Sequence, residues 1–343
     1  MTACSTDLTL PADLGFRLGL GAASTSRLGQ MPTALELQLI DDIRARELMD
    51  FCAVQPEDAD AMLAARPDPD RDADWWLLLG GVVAELRDRM DRPLAPLGYT
   101  AWPMVPESAG PVGMFVYAWA LLSVVPDLLE VHRRRGIPEA VTRDTVSALG
   151  GVMAAHAEVT GVRGVGLFPL WGPPQRVCGV DYTIGRHDFT RTEMAFGDGV
   201  AGYALQVHVP PSGPLIESES KTSIGRAERF FAEHYPDQPI SGLVCKSWIL
   251  DPQLGDYLPP DSNLIRFQRR FQLLPYVPLD DESEGDREMM RLGLQLMVPA
   301  EGPLTDSDLD RIPNTTTLHR AFVAHLRNGG HWHKRTGIQW ADR

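Results

Sequence analysis

The sequence predicts an α/β (α+β) protein in which a mainly helical N-terminal unit packs on a C-terminal unit with a mixed sheet. Its 343 residues exceed one average domain, which favours two units. Apolar residues recur at helical spacing before Gly161, and short β-type runs follow it. A helical stretch separates two of these runs, a pattern typical of a crossover between parallel strands. We place the domain boundary between residues 142 and 143.

The N-terminal unit begins with two helical patterns. Apolar residues from Leu35 to Phe51 approximate one face of a helix, and Trp75–Leu86 predicts a second helix. Between them lies the acidic, proline-containing stretch Pro56–Asp74. We expect this stretch to form a loop or a short helix whose charges face solvent.

The longest apolar segment of the chain is interrupted by a proline. Val112–Val125 predicts a third helix, and Pro126 is expected to begin a fourth that ends with basic residues at Arg135, before Gly136. Pro138 is typical of the first turn of a further helix. The apolar run covers only 14 residues, too few to cross a bilayer, so it indicates a buried helix and no membrane partner.

Short runs rich in strand-forming residues mark the C-terminal unit; they are Val177–Ile184, Val200–Val209, Gly242–Leu250 and Leu292–Val298. Ser218–Tyr235 has helical spacing and lies between the second and third runs, so part of the sheet is expected to be parallel. The segment Leu205–Leu215 recurs as Leu294–Leu304 with seven of eleven residues identical. This repeat predicts two strand-turn-helix units, unless both segments converged on the same turn chemistry by chance.

Charge and cysteine content exclude several classes of function. The chain has 46 acidic and 32 basic residues, a formal net charge of −14. Such a chain lacks the basic surface that nucleic acids require and repels anionic membranes. Its four cysteines have no CxxC spacing, and no signal-peptide pattern opens the sequence. We therefore expect free thiols in the cytoplasm.

Two candidate catalytic side chains end neighbouring strands. Cys245 and His208 lie where ligands gather in open α/β sheets, and a thiolate with an imidazole base can form an acyl-enzyme. Asp251 either orients His208 or makes the turn before Pro252. The alternative is that Cys245 is a core residue and His208 a structural one. Strand alternation alone does not show whether their two faces coincide.

Several polar residues surround the same sheet edge. Alternation places Gln206 on the face of His208 and Ser247 on the face of Cys245. Ser262 is the expected cap of a helix that starts at Asn263. We assign substrate binding to Gln206, Ser247, Trp248, Asn263 and Gln268.

A metal site is not expected. His331 and His333 present two imidazoles on one face of an extended segment. A structural or catalytic metal takes three or four protein ligands, and no cysteine or acidic cluster accompanies these two at ligand spacing. We therefore assign no metal ligands.

Several short sequence segments of the chain resemble those of a known family; they are His132–Glu139, Ile184–Phe189, His208–Pro210, Gly213–Leu215, Cys245–Pro252, Ser262–Asn263, Phe267–Gln268 and Gly329–Trp332. The family consists of bacterial, largely actinobacterial, acyltransferase-domain proteins. Its members join an N-acyltransferase-like N-terminal domain to a GNAT-like C-terminal domain. The matching segments occur in order from the middle of the chain to its end, and the first hundred or so residues add little.

The resemblance implies a fold and an activity. Residues 1–142 would form the N-acyltransferase-like domain and residues 143–343 the GNAT-like domain. An acyl group would pass from a thioester, on coenzyme A (CoA) or on the phosphopantetheine of an acyl carrier protein, to an amine or hydroxyl of a small molecule. No permanently bound cofactor is implied.

The resemblance also implies where the donor lies. In the GNAT fold two parallel strands splay apart, and backbone amides of the first strand bind the pantetheine arm and the thioester carbonyl. Here the strands would be Tyr203–Val209 and Gly242–Leu250. The donor-binding positions would be Val207, Val209 and Gly213.

One departure from the family pattern favours a carrier protein as donor. A diphosphate loop exploits free N–H groups at a helix start. This chain instead has Pro210–Pro214, with three prolines, followed by Glu217 and Glu219. A carrier arm has a single phosphate, and the basic residues Arg133–Arg135 or Arg266–Arg270 would contact the acidic carrier. The same arginines are equally well explained as solvated helix ends.

Acyl transfer in secondary metabolism is the leading hypothesis from the sequence. His208 would act as a base, with or without an acyl-Cys245 intermediate. One alternative is thioester hydrolysis or editing in the same pocket. Another is a non-catalytic pseudo-acyltransferase that binds a carrier or a metabolite.

Overall fold

The structure is a computed structural model that describes residues 9–21, 27–33, 36–95, 101–196, 200–210, 213–278, 281–296, 298 and 302–341. The chain divides into two compact units, Met1–Thr183 and Ile184–Arg343. This division falls later in the chain than the boundary placed at residues 142 and 143, because further helices follow in the first unit. The prediction of a helical unit followed by an α/β unit is confirmed.

The first unit is built from eight α-helices within the part of the chain that the structure describes. They are α1 Leu14–Arg17, α2 Asp42–Phe51, α3 Pro56–Ala64, α4 Ala73–Asp88, α5 Gly110–Arg135, α6 Glu139–Val146, α7 Ala148–Thr160 and α8 Gly172–Val177. Strand β1, Asp181–Ile184, follows α8. The acidic stretch before Trp75 is thus partly helical, and Asp58 in α3 is buried and ion-paired with Arg163 rather than solvated.

Helix α5 is the core of this unit, and it corrects the prediction that a fourth helix begins at Pro126. The helix has 26 residues, continues through Pro126 and ends at Arg135, and the Gly136 that follows it adopts φ +67°. A proline inside a helix costs about 3 kcal/mol, but α5 is packed along most of its length, which offsets that cost. The helix is long and apolar enough to cross a membrane, yet 78% of its apolar window is buried, as in the core helix of a globular protein.

The second unit contains most of a six-stranded sheet whose order is β1-β2-β3-β4-β6-β5. The further strands are β2 His187–Phe196, β3 Val200–His208, β4 Ile240–Ser247, β5 Gln272–Leu273 and β6 Arg335–Trp340. Strands β3 and β4 are parallel, and helix α9, Glu217–His234, connects them. The predicted crossover is therefore confirmed.

The remaining helices of the second unit are short. They are α10 Asn263–Gln268, α11 Glu284–Glu288, α12 Asp306–Asp310 and α13 Thr317–Arg327. A π-helical turn, Met289–Gly293, continues α11.

Two predicted strands are wrong in whole or in part. The run Leu292–Val298 begins inside the π-helical turn and forms no strand among its described residues, which leave out residue 297. The first half of Val177–Ile184 ends helix α8 and leads into a strand of only four residues. Short apolar runs fit a buried helix as well as a strand, so periodicity could not separate the two. Among the described residues, the first copy of the repeat therefore contains part of a strand and the second contains none.

Candidate active site

Strands β3 and β4 part at their carboxyl ends. Their pairing runs from Tyr203 with Ile240 to Gln206 with Val244. Beyond that pair β3 continues beside β2, and β4 continues to Ser247 beside β6. The two parallel strands thus keep their outer neighbours while they separate from each other. This opening is called the β3–β4 cleft below.

A β-bulge precedes the cleft. From Tyr203 to Leu205 strand β3 advances by two residues, whereas from Ile240 to Leu243 strand β4 advances by three. The extra residue increases the local twist, which helps to turn the strands apart. Gly242 lies at this point, and a Cβ atom there would approach the carbonyl oxygen of Gln339 to 2.5 Å. The close approach of β6 to β4 therefore requires glycine at this position.

The register places the two candidate catalytic side chains on opposite faces of the sheet. Gln206 pairs with Val244, so one position further Val207 aligns with Cys245 and His208 with Lys246. Paired residues share a face and successive residues alternate. Cys245 therefore shares the face of Val207, whereas His208 shares the face of Gln206. The sequence left this question open, and the register separates the two side chains.

His208 ends β3 at the mouth of the cleft. Its imidazole is half-buried, and its Nε2 lies 3.1 Å from Oγ1 of Thr190 on β2. Thr190 is fully buried, so this contact orients the ring from the sheet side. Gln206, two residues earlier, is half-buried on the same face. The face thus combines an oriented imidazole with an amide at the point where the strands part.

Cys245 does not have the environment of a nucleophile. Its side chain is only 1% exposed. Burial, together with the nearby carboxylate of Glu288, raises the pKa of the thiol to about 12. A thiolate is the reactive form, and this environment disfavours it. The structure therefore argues against an acyl-Cys245 intermediate and supports the alternative of a core residue.

The contacts of Asp251 give it a structural role. Its buried carboxylate accepts hydrogen bonds from the backbone N–H of Gln253 at 3.0 Å and of His333 at 2.6 Å. It also accepts one from Nε2 of Gln253 at 3.0 Å. The carboxylate thus joins the turn after β4 to the segment before β6. The interpretation of Asp251 as a turn residue is the one that the contacts support.

The other predicted binding residues build the same turn. Nε2 of Gln268 donates to the carbonyl oxygens of Ile249 at 2.7 Å and Asp251 at 2.8 Å. Oγ of Ser247 accepts from the N–H of Ile249. Trp248 is buried against Gly293, where a Cβ atom would approach its ring to 2.6 Å.

Asn263 is exposed at the start of α10, after the Ser262 cap. Of the five residues assigned to substrate binding, Gln206 is therefore the one that the geometry places on the face of His208. The backbone positions Val207 and Val209 lie on β3 at the cleft and just beyond its end.

The loop after β3 is held by an arginine that the sequence did not single out for a role. The guanidinium of Arg186 donates to the carbonyl oxygens of Pro210 at 2.9 Å, Gly213 at 2.8 Å and Pro214 at 3.3 Å. The two residues between Pro210 and Gly213 lie outside the described part of the chain. Arg186 stands in the turn between β1 and β2, so one hairpin fixes both ends of this loop.

The charges at the start of α9 differ from the sequence expectation. Glu217 is ion-paired with Arg266 at 3.2 Å and lies 4.0 Å from Arg270. Its negative charge is thus partly compensated, which weakens the argument that it repels a phosphate.

A buried histidine joins β2 to the start of α9. Nε2 of His187 lies 2.7 Å from Oγ of Ser220, and its backbone N–H donates to Oγ of Ser223 at 3.2 Å. Burial, with the nearby charge of Arg186, lowers the pKa of His187 to about 4. The imidazole is therefore neutral at physiological pH.

This histidine predicts a loss of stability in acid. In the unfolded chain the imidazole of His187 becomes protonated near pH 6.5. In the folded chain it stays neutral until the pH falls to about 4. The free energy of unfolding should fall by up to about 3 kcal/mol across that window, at about 1.4 kcal/mol per pH unit. Urea unfolding of wild type and His187→Gln at pH 7 and pH 4.5 measures this change in the free energy of unfolding. The decrease between the two pH values should be smaller in the variant than in wild type. His319→Gln, a histidine whose hydrogen bond to Thr315 is at the surface, is the matched control. An equal acid loss in wild type and His187→Gln would contradict the assignment.

Sequence reasoning also missed a carboxylate–imidazole pair. Oδ2 of the buried Asp286 lies 2.7 Å from Nδ1 of His331, and Oδ1 accepts the N–H of Trp332 at 2.7 Å. The pair follows from tertiary packing across 45 residues, for which the sequence carries no local signal. Among the residues that the structure describes, no group of three or more His, Cys, Asp or Glu is placed to hold a metal ion.

Comparisons with known proteins agree with this architecture. The family described as N-acyltransferase N-terminal domain matches residues 43–175, and the family described as GNAT-like C-terminal domain matches residues 182–339. No curated protein matches the chain.

Solved structures of acyltransferases are similar over almost the whole chain. An acyltransferase in complex with CoA and 10C-teicoplanin is 30% identical with a TM-score of 0.80, over 96% of this chain and 98% of that one. An acyltransferase in complex with decanoyl-CoA and teicoplanin is 30% identical with a TM-score of 0.79, over the same shares. A third, in complex with decanoyl-CoA, is 30% identical with a TM-score of 0.79, over 97% and 100%. These matches confirm the GNAT-like fold predicted from the sequence.

Proposed function

Because the chain belongs to the acyltransferases that join an N-acyltransferase N-terminal domain to a GNAT-like C-terminal domain, we propose that it transfers an acyl group from acyl-CoA to a small-molecule amine or hydroxyl at the β3–β4 cleft. The observation that carries this proposal is the separation of the two parallel strands beyond Gln206 and Val244. The cleft offers backbone groups of two strands to an extended pantetheine arm.

The proposed reaction needs a base and an oxyanion site. His208 takes a proton from the acceptor as its nitrogen or oxygen attacks the thioester carbonyl. Backbone N–H groups at Val207 and Val209 stabilise the oxyanion that forms. The C–S bond then breaks, the acyl group stays on the acceptor, and the proton leaves with the CoA thiol. Direct transfer of this kind requires no group from Cys245.

Acyl-CoA is better supported as the donor than the carrier arm favoured by the sequence. The similar acyltransferases have structures with CoA or decanoyl-CoA. In this chain Arg133 and Arg135 are ion-paired with Glu130 and Asp91, which reduces the positive charge offered to an acidic carrier. An acyl carrier protein as partner remains the alternative donor.

The acceptor is proposed by analogy. The similar structures that name an acceptor name teicoplanin. We therefore propose a natural-product acceptor with a free amine or hydroxyl, and a role in secondary metabolism in the cytoplasm. Hydrolysis and non-catalytic binding remain alternatives, each with a distinct outcome in the experiment below.

Intact-protein mass spectrometry and product analysis test this function together. Wild type and Cys245→Ala are incubated with acyl-CoA and acyl-carrier thioesters of several chain lengths, with and without amine and hydroxyl acceptors, teicoplanin among them. We expect acylated acceptor from acyl-CoA, no adduct on the enzyme, and most of the turnover retained in Cys245→Ala. Cys178→Ala, which also empties a buried thiol site, is the matched control.

The other outcomes separate the alternatives. A mass increase that disappears in Cys245→Ala would establish the covalent route and contradict direct transfer. CoA release without acylated acceptor would favour hydrolysis, and turnover from carrier thioesters alone would replace CoA as donor. Binding of a thioester without any turnover would favour the non-catalytic alternative.

A further inference from the structure

The face of the sheet that carries His208 also carries a lysine on the other side of the β3–β4 cleft. The register that aligns Val207 with Cys245 aligns His208 with Lys246. Because paired residues share a face, the side chain of Lys246 belongs to the face of the proposed base. Sequence reasoning assigned the neighbours Cys245 and Ser247 to the site and gave no role to this residue.

Lys246 is exposed although its strand is an interior one. Strand β4 lies between β3 and β6, and Lys246 is the residue before its last. Val244, two residues earlier on the same face, is half-buried, whereas Lys246 is exposed. The His208 face is therefore open to solvent at the carboxyl end of β4, and an acceptor that approaches His208 from this side passes the ammonium.

The positive charge of Lys246 is not compensated. Within the part of the chain that the structure describes, its Nζ makes no ion pair and no hydrogen bond. By contrast Lys334, directly before β6, contacts Glu288 and lies 3.9 Å from Glu284. The chain has 46 acidic residues, so carboxylates are plentiful, and yet this ammonium has none beside it. Its charge is available to a ligand.

The neighbours of Lys246 suit an anion. Strand β6 aligns Thr336 with Lys246, and the half-buried hydroxyl of Thr336 makes no hydrogen bond to the described residues. The acidic residue nearest in register is Asp188, which aligns with His208 on β2. It is buried and two strands from Lys246, or about 10 Å at the usual spacing of paired strands. An ammonium and a hydroxyl donor thus adjoin on the open side of the cleft.

We propose that Lys246 is a specificity-determining residue for the acceptor: its ammonium binds a carboxylate of the molecule whose amine or hydroxyl is directed at His208. This inference rests on the proposed function, since it takes His208 as the base. Paired strands lie about 5 Å apart, and β3 and β4 have parted at this point. The acceptor class is therefore an amine or alcohol whose carboxylate is several bonds away from the nucleophilic atom.

Acceptors that differ only in charge test the proposal. The probes are ε-aminocaproate, its neutral amide ε-aminocaproamide, and hexamethylenediamine, each acylated from decanoyl-CoA. The measured quantity is the ratio of kcat/KM for the carboxylate to that for the amide. We expect wild type to prefer the carboxylate by about fivefold or more, mainly through KM, which is the scale of a partly solvated ion pair.

Three substitutions of Lys246 should change this ratio in different directions. Lys246→Met removes the charge at similar length, and its ratio should fall to within about twofold of one. Lys246→Arg keeps the charge and should keep most of the preference. Lys246→Glu should reverse the preference, so that hexamethylenediamine becomes a better acceptor than ε-aminocaproate. A general loss of fold would lower both kcat/KM values and leave the ratio unchanged.

A matched control removes the same charge outside the cleft. Lys221 is exposed on α9. Lys221→Met changes the net charge of the protein as Lys246→Met does, and its ratio should equal that of wild type. An equal fall of the ratio in both variants would mean that the net charge of the protein selects the acceptor, which overturns the proposal.

The remaining outcomes separate this inference from the proposed function. Equal kcat/KM of wild type for the carboxylate and the amide overturns the inference and leaves acyl transfer intact, as does an unchanged ratio in Lys246→Met and Lys246→Glu. If wild type acylates only a larger acceptor, the same ratio is measured for that acceptor and its methylamide, and an acceptor without an anionic group overturns the inference. If wild type acylates nothing, the proposed function fails, and this inference fails with it.

Discussion

Replacing His208 with alanine is expected to lower kcat by about 10²- to 10⁴-fold, the usual contribution of a positioned general base. The imidazole is held by Thr190 at the mouth of the cleft, on the face that Gln206 shares. The affinity for acyl-CoA should change little, because the donor is expected to contact the strand backbone rather than this ring. Steady-state kinetics with an acceptor that wild type acylates measures kcat, and calorimetry with decanoyl-CoA measures the affinity for the donor.

A second imidazole provides the control for this prediction. His331, paired with Asp286, has the geometry of a base held by a buried carboxylate, but it lies on the segment that leads into β6 rather than on β3 or β4. His331→Ala should therefore retain most of the turnover. A larger loss of kcat in His331→Ala than in His208→Ala would assign the base to the Asp286–His331 pair instead.

The sequence was sufficient to predict the part of the fold that forms the site. Strand β3, helix α9 and strand β4 have long, clear patterns, and their order implies the parallel crossover. Strands β2, β5 and β6 were missed, and β2 and β6 are the longer ones. Polar residues dominate β2, and Gly337 interrupts the six-residue β6. Both are held by pairing with a neighbour, which a single-sequence pattern does not report.

The site itself could be predicted only in part, because it depends on register. His208 and Gln206 share a face by alternation alone, and this holds in the structure. The position of Cys245 relative to His208 depends on how β3 and β4 align past the bulge at Gly242, a tertiary feature. In the sequence Arg186 stood out only as a residue of one segment that resembles the family. Its three contacts could not be predicted, because they are made with a loop more than twenty residues away.

The contacts of Asp251 show how one residue type fits two roles in a sequence. An acidic residue just after a strand end is a natural candidate to orient a histidine, and it is equally a natural turn residue before a proline. The structure distinguishes the two roles by the burial of the carboxylate and by the groups that donate to it. Asp251 is fully buried and caps the 3₁₀ turn Pro252–Asp256. Its carboxylate binds Gln253 and His333. Replacing Asp251 should therefore lower the stability of the fold more than the rate of acyl transfer.

Asp251→Ala is therefore expected to lower the free energy of unfolding by about 3 kcal/mol or more. The truncation leaves the N–H groups of Gln253 and His333 without their acceptor in a buried site. Asp251→Asn should lower the free energy of unfolding less than Asp251→Ala does, because the carbonyl oxygen of the amide can still accept a hydrogen bond from one of these N–H groups. Chemical denaturation measures the loss, and Asp256→Ala, an exposed aspartate in the same turn, is the matched control and should stay close to wild type. The turnover of folded Asp251→Asn, measured below its melting temperature, should remain near that of wild type. A large loss of kcat in Asp251→Asn with unchanged stability would reverse this assignment, because a carboxylate that acts in the reaction would be lost without any cost to the turn.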